Sequence, residues 1–193
     1  MRRILAILPL LAILAFPPPA QAGHSVRRTL QFLGFSEDGA RYLLKVADAD
    51  TGDALSVRAF ATGRAEATIP LEDKATEKQA IDQARKKYRI TDPGQESQQS
   101  PDGKYTILVF PKGLKVEIRV MRGERRALLK ALDARPGPDG PPRVVLTSVV
   151  WTADGRKMVV VVHRTMRGEN GVDADEAHPI EFLPGELKFE GGT

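Results

Sequence analysis

Three tight corners with one local grammar constrain this chain more than any other feature: Phe35-Ser36-Glu37-Asp38-Gly39, Gln99-Ser100-Pro101-Asp102-Gly103 and Trp151-Thr152-Ala153-Asp154-Gly155. Asp-Gly marks a hairpin because the turn needs positive φ, which Gly adopts freely and Asp tolerates. A Ser or Thr just ahead can bond the turn backbone. Each corner leads into a strand-like run: Arg41 to Val46, Lys104 to Phe110, and Arg156 to His163. One Asp-Gly would carry little, but three in the same surroundings define a repeat.

The strands after the corners are apolar on both faces. Tyr105, Ile107 and Val109 alternate with Leu108 and Phe110, and Met158, Val160 and Val162 with Val159 and Val161. Such strands are covered from both sides. Leu114, Val116, Ile118 and Val120 instead alternate with Lys115, Glu117 and Arg119, which predicts one wet face and a place nearer a sheet edge. The first two copies share a further hairpin. Ala54 to Ala61 turns at Thr62-Gly63-Arg64 into Ala65 to Leu71, and Lys115 to Met121 turns at Arg122-Gly123-Glu124 into Arg126 to Leu132. Each of these two copies can supply four antiparallel strands. In the third, Arg167 to Glu176 is expected to be a polar loop ahead of a short strand, Pro179 to Leu183.

One helix is expected between the first two copies, over about 76–88. Thr76 with Gln79 fits a capping box, Ala80, Ile81, Ala84 and Tyr88 share a face, and Thr91-Asp92-Pro93-Gly94 stops it. The Pro-rich run from Arg135 to Pro142 reads as a stiff linker between copies two and three, and the tail from Glu190 as frayed. The expected organisation is a single β-rich domain over 23–193, with repeats near 30–71, 95–132 and 144–183.

The order aromatic, Ser or Thr, small residue or Pro, Asp, Gly, basic residue, aliphatic strand resembles the repeats of TolB-type β-propellers, with Gln99 replacing the aromatic in the second copy. Phe32 to Gly39, followed by strands and then a helix, is also similar to a bacterial family of predicted secreted proteins with no assigned activity. The propeller resemblance implies that each copy opens a blade. Closed propellers have four to eight blades, so three copies imply blade-like antiparallel sheets in an open or sandwich-like arrangement, or a partial ring completed by association.

The address is read from the first residues. Arg2 and Arg3 precede an apolar run from Ile4 to Phe16 and a Pro-rich stretch ending Ala20-Gln21-Ala22, the pattern of a cleaved export signal over 1–22. The run is shorter than a membrane span requires and is interrupted by Pro9. With no cysteine in the chain, neither a lipid-anchored cysteine nor a disulfide staple is available. The expectation is a soluble periplasmic or secreted protein. Without Arg2 and Arg3, 27 basic residues face 25 acidic ones, and this surplus of +2 argues for no polyanionic partner.

Candidate chemistry is sparse. Three His, no Cys and no G-x-S-x-G elbow leave little for acyl transfer. His163 ends an apolar strand and His178 is expected in a polar loop, neither with a visible orienting partner. Arg85, Lys86 and Lys87, with Arg89, form a basic patch at the helix end, which complements the helix dipole or meets an anionic envelope component. Nucleic acid is a poor fit because no aromatics interleave with the basic residues. Asp48, Asp50 and Asp53 invite a calcium reading, but the EF-hand spacing fails, since the sixth and twelfth positions are Asp53 and Ala59. Asp173, Asp175 and Glu176 read as a solvated turn. A start at Gly23-His24 could chelate copper. Trp151 matches Phe35 in position, which favours core over a ligand platform.

No cofactor is implied. The expected function is an exported binding or interaction module of the bacterial envelope, with an envelope protein or a second copy as partner. The alternatives are an envelope hydrolase using His163 with acidic loop residues, and a calcium-stabilised structural protein.

Overall fold

The computed structural model describes residues 26–135, 140–166 and 171–191. The expected export signal, the copper-binding start and the centre of the Pro-rich linker lie outside them. Within them the chain is mostly β with open sheets, as its corners and alternating strands imply.

The first unit is a four-stranded meander: β1 (Val26–Ser36), β2 (Arg41–Asp48), β3 (Ala54–Ala59) and β4 (Ala65–Pro70). Helix α1 (Lys74–Tyr88) follows, then the short strands β5 (Ile90–Asp92) and β6 (Gln95–Glu96). The second unit is β7 (Thr106–Lys112), β8 (Lys115–Arg122) and β9 (Arg125–Asp133). The third is β10 (Arg143–Trp151), β11 (Lys157–Met166) and β12 (Val172–Glu181).

Hydrogen bonding joins the first and third units. Val26 to Arg28 of β1 pair in parallel with Val172 to Ala174 of β12. The result is a nine-stranded sheet, ordered β4-β3-β2-β1-β12-β11-β10-β6 with β5 beside β1, and a separate three-stranded sheet, β7-β8-β9. The second copy therefore has three strands plus a single bridge, Gln99 to Thr106, where the sequence offered four.

Packing sets the units in the order first, third, second. Leu43, Leu55 and Val57 on one face of the first unit meet Ala84 of α1. Phe35, Tyr42, Leu44 and Phe60 on its other face pack on Val150, Val159 and Val161 of the third. The opposite face of the third, with Trp151, Met158, Val160 and Val162, packs on Ile107, Ile118 and Val120 of the second. β11 is thus apolar on both faces because it is the shared wall between two cores.

Four sequence expectations are corrected. The helix begins three residues earlier than the capping box placed it, because Asp73 is the N-cap and accepts the Thr76 N–H at 2.7 Å. A carboxylate offers the orphan donors a stronger acceptor than a hydroxyl does. β8 is the central strand of its sheet rather than an edge, and Glu117 on its supposed wet face is 7% exposed. The acidic stretch from Asp173 to Glu176, and His178 after it, lie in β12 rather than in a loop, since ten register pairs with β11 override their polarity. The tail is held at Glu190, whose backbone exchanges two hydrogen bonds with Arg126 at 3.0 and 2.8 Å.

Candidate functional site

The three corners share one hydrogen-bond design. Ser36, Ser100 and Thr152 each donate a hydroxyl hydrogen bond, 2.6 Å long, to Asp38, Asp102 and Asp154 respectively. In each, the Gly N–H closes the turn on the carbonyl of that same Ser or Thr, at 2.8 to 2.9 Å. Two N–H groups past the turn complete the cage: those of Ala40, Lys104 and Arg156 donate to the Asp carboxylate, and those of Arg41, Tyr105 and Lys157 to the hydroxyl. Gly39, Gly103 and Gly155 have φ of 62°, 70° and 68°. The hydroxyl bond is the first cause that holds all three carboxyls below their ordinary range. The corners are rigid and charged.

They also lie on one rim. The third corner touches the first through Lys157, whose Nζ donates to the Gly39 carbonyl at 2.9 Å. It touches the second through the Pro101 ring, which lies 3.4 Å from where a Gly155 Cβ would stand. Asp92 ties down the same region by accepting the Ala153 N–H at 3.1 Å and the Gly94 N–H at 2.8 Å.

Two clefts open beside these corners. One, of about 640 Å³, lies between the first corner and the end of α1, lined by Ser36, Glu37, Asp38, Arg41 and the segment from Lys87 to Arg89. Its two walls are joined by the Glu37 N–H donating to the Arg89 carbonyl at 2.9 Å. The other, of about 540 Å³, runs between the second and third corners, where Pro101, Tyr105, Phe182, Leu183 and Pro184 supply apolar surface and Asp102, Asp154 and Arg156 supply charge.

The residues singled out from sequence scatter relative to this rim. Trp151 is wholly buried. Its Nε1 donates to the Ser97 carbonyl at 2.9 Å, and its ring meets Phe182 edge-on at 5.3 Å, so it presents no face to a ligand. Lys87 reaches the first cleft, while Arg85 turns back to donate to the Leu33 carbonyl at 3.1 Å. Lys86 lies on the outer side of the helix beside Gln83. Asp48 is committed to Arg28 at 2.9 Å and to the N–H groups of Asp50 and Thr51, leaving Asp50 and Asp53 exposed without it. Among the described residues, no three His, Asp or Glu side chains are grouped to hold a metal ion.

His163 has the partners its sequence context hid. Nδ1 is 2.8 Å from Asp175 Oδ1 and Nε2 is 2.8 Å from Asp173 Oδ1. Asp175 is buried and also accepts the Leu30 N–H of β1 at 2.9 Å, so it spans the seam between the first and third units. The Asp175 hydrogen bond is the first cause that raises the His163 pKa, with burial opposing it. Asp173 and Asp175 stand two apart, the spacing of one strand face, and would have been legible had the segment been read as a strand. The cleft aromatics Tyr105 and Phe182 carried no such signal. No protein-family model, curated protein or solved structure matches the chain.

Proposed function

We propose that this protein is an exported binding module of the bacterial envelope, built from TolB-type blade-like units, that seats a segment of a partner protein along its corner rim. The observation that carries this reading is the pair of clefts beside the three caged corners. Their lining mixes rings and prolines with charges of both signs, the surface that a polypeptide with apolar and charged side chains fits. The hydrogen-bonded corners hold that lining in place before the partner arrives, which lowers the ordering cost of binding. Export rests on the signal pattern of the first residues.

A photo-crosslinking side chain at Leu183 or Lys87 is expected to trap a discrete partner in intact envelopes, while the same group at Asp53, away from the rim, traps none. Equal labelling from all three positions would overturn the reading.

The His163 contacts favour a second reading, a hydrolase, because they supply an orienting carboxylate. Yet both ring nitrogens are held by carboxylates at 2.8 Å, which leaves neither one free to take a substrate proton. Substituting His163 with Ala decides between the two. Lost turnover in a folded protein would favour the enzyme, and undiminished crosslinking at the rim would favour the module.

A further inference from the structure

Among the described residues, the stacked units leave one sheet face on which no other strand or helix packs. Helix α1 covers the outer face of the first unit, and the third unit is enclosed between the first and second. In the second unit Ile107, Val116, Ile118 and Val120 point into the shared core. Side chains alternate along a strand, so Leu108 and Phe110 of β7, and Glu117, Arg119 and Met121 of β8, occupy the opposite face. Leu128 of β9 joins them through its pairing with Arg119. None of these six belongs to any of the three cores, and Leu128 is 49% exposed.

At the centre of that face lies an ion pair. Arg119 Nε donates to Glu117 Oε2 at 2.6 Å, and the two side chains are 11% and 9% exposed. Lys112 approaches Glu117 from the margin at 3.3 Å, itself 68% exposed. Phe110 pairs with Glu117, and Leu108 and Leu128 with Arg119, so the charges lie flat among apolar side chains. An apolar face that carries a cation and an anion side by side complements a copy of itself. A two-fold axis across the strands at Ile118 sets Glu117 over Arg119 of the partner subunit and Phe110 over Leu108 of the partner subunit. Sheets pack this way with their strands nearly aligned, and an isologous contact of this kind closes at two copies.

We propose that this protein forms a two-fold dimer in which the outer faces of two β7-β8-β9 sheets stack on each other. The dimer completes for the second unit the coverage that α1 provides for the first, and it leaves a helix at each far end of the stack. It uses a surface separate from the corner clefts, so it stands or falls independently of the binding-module reading.

The test is the mass in solution of the purified protein by light scattering across a hundredfold range of concentration. The expected result is twice the chain mass, halved by Leu128→Glu and by Ala131→Arg, which neighbours the face on β9. Both positions are exposed, so the thermal transition measured at low concentration is expected to stay in place. Val145→Glu, at an exposed apolar position on β10, is expected to keep the doubled mass. A monomer at every concentration would overturn the proposal. So would a dimer that survives both β9 substitutions, or one that Val145→Glu dissolves.

Discussion

At the scale of single residues, chemistry in this chain is spent on holding joints together. Each corner Asp is bound by a hydroxyl and by backbone N–H groups, and His163 is bound by two carboxylates on the neighbouring strand. The corner residues were legible because Ser-x-Asp-Gly and Thr-x-Asp-Gly specify their own turn through contacts within six residues. The His163 contacts were not, because they depend on which strand lies alongside. They carry a pH dependence of definite sign. A histidine pKa raised in the folded state means that the protonated ring binds the fold better than the neutral one. Its contribution is therefore full below the unfolded value of 6.5 and is lost as pH rises through the folded pKa. The melting-temperature advantage of the native protein over His163→Gln is expected to be full below pH 6.5 and to shrink as pH is raised from there through the folded pKa. An advantage that stays constant, or grows, across that range would show that the imidazolium does not brace the seam.

At the scale of elements, the hairpins of the first two copies fall where alternation and turn residues put them, and the helix where its apolar spacing puts it. The errors cluster where partners outweigh local composition. β12 is acidic enough to read as a loop, yet β11 supplies a ladder along its whole length. β8 carries charges on one face, yet it is central because β7 and β9 flank it. Gly94, read only as a helix stop, has a tertiary role. A Cβ there would stand 2.4 Å from Val150 Cγ1 and 3.2 Å from Phe35 Cε2, at a φ of 73°. Gly52 has a similar φ of 83° but open space around it. Gly52→Ala is expected to cost about 1 kcal/mol for the left-handed backbone alone. Gly94→Ala adds overpacking of about 1–3 kcal/mol. Urea denaturation of the two variants would measure the difference, and equal losses would mean that the first and third units do not meet at this glycine.

At the scale of the whole molecule, the units stack in an order that their sequence order does not follow. β11 serves two cores at once, and Trp151 sits in one of them beside Phe182. The units are therefore expected to unfold together. The single tryptophan gives a direct readout: blue-shifted emission in the native state, moving red in one transition that coincides with loss of the β signal in circular dichroism. Tryptophan emission that shifts at lower denaturant than the backbone signal would mean that the second unit detaches first.

The sequence by itself determined the corners, their repetition, the strands that leave them and the mostly β class. Each of those depends on φ preferences and side-chain alternation over a few residues. Only the tertiary structure decided that the third unit lies between the other two, that an acidic stretch becomes a strand, and that His163 meets two aspartates. It also decided that, among the described residues, one sheet face has no other element packed on it. Those outcomes depend on which apolar faces find each other across long stretches of chain, and hydrophobic attraction has no direction for a local pattern to encode.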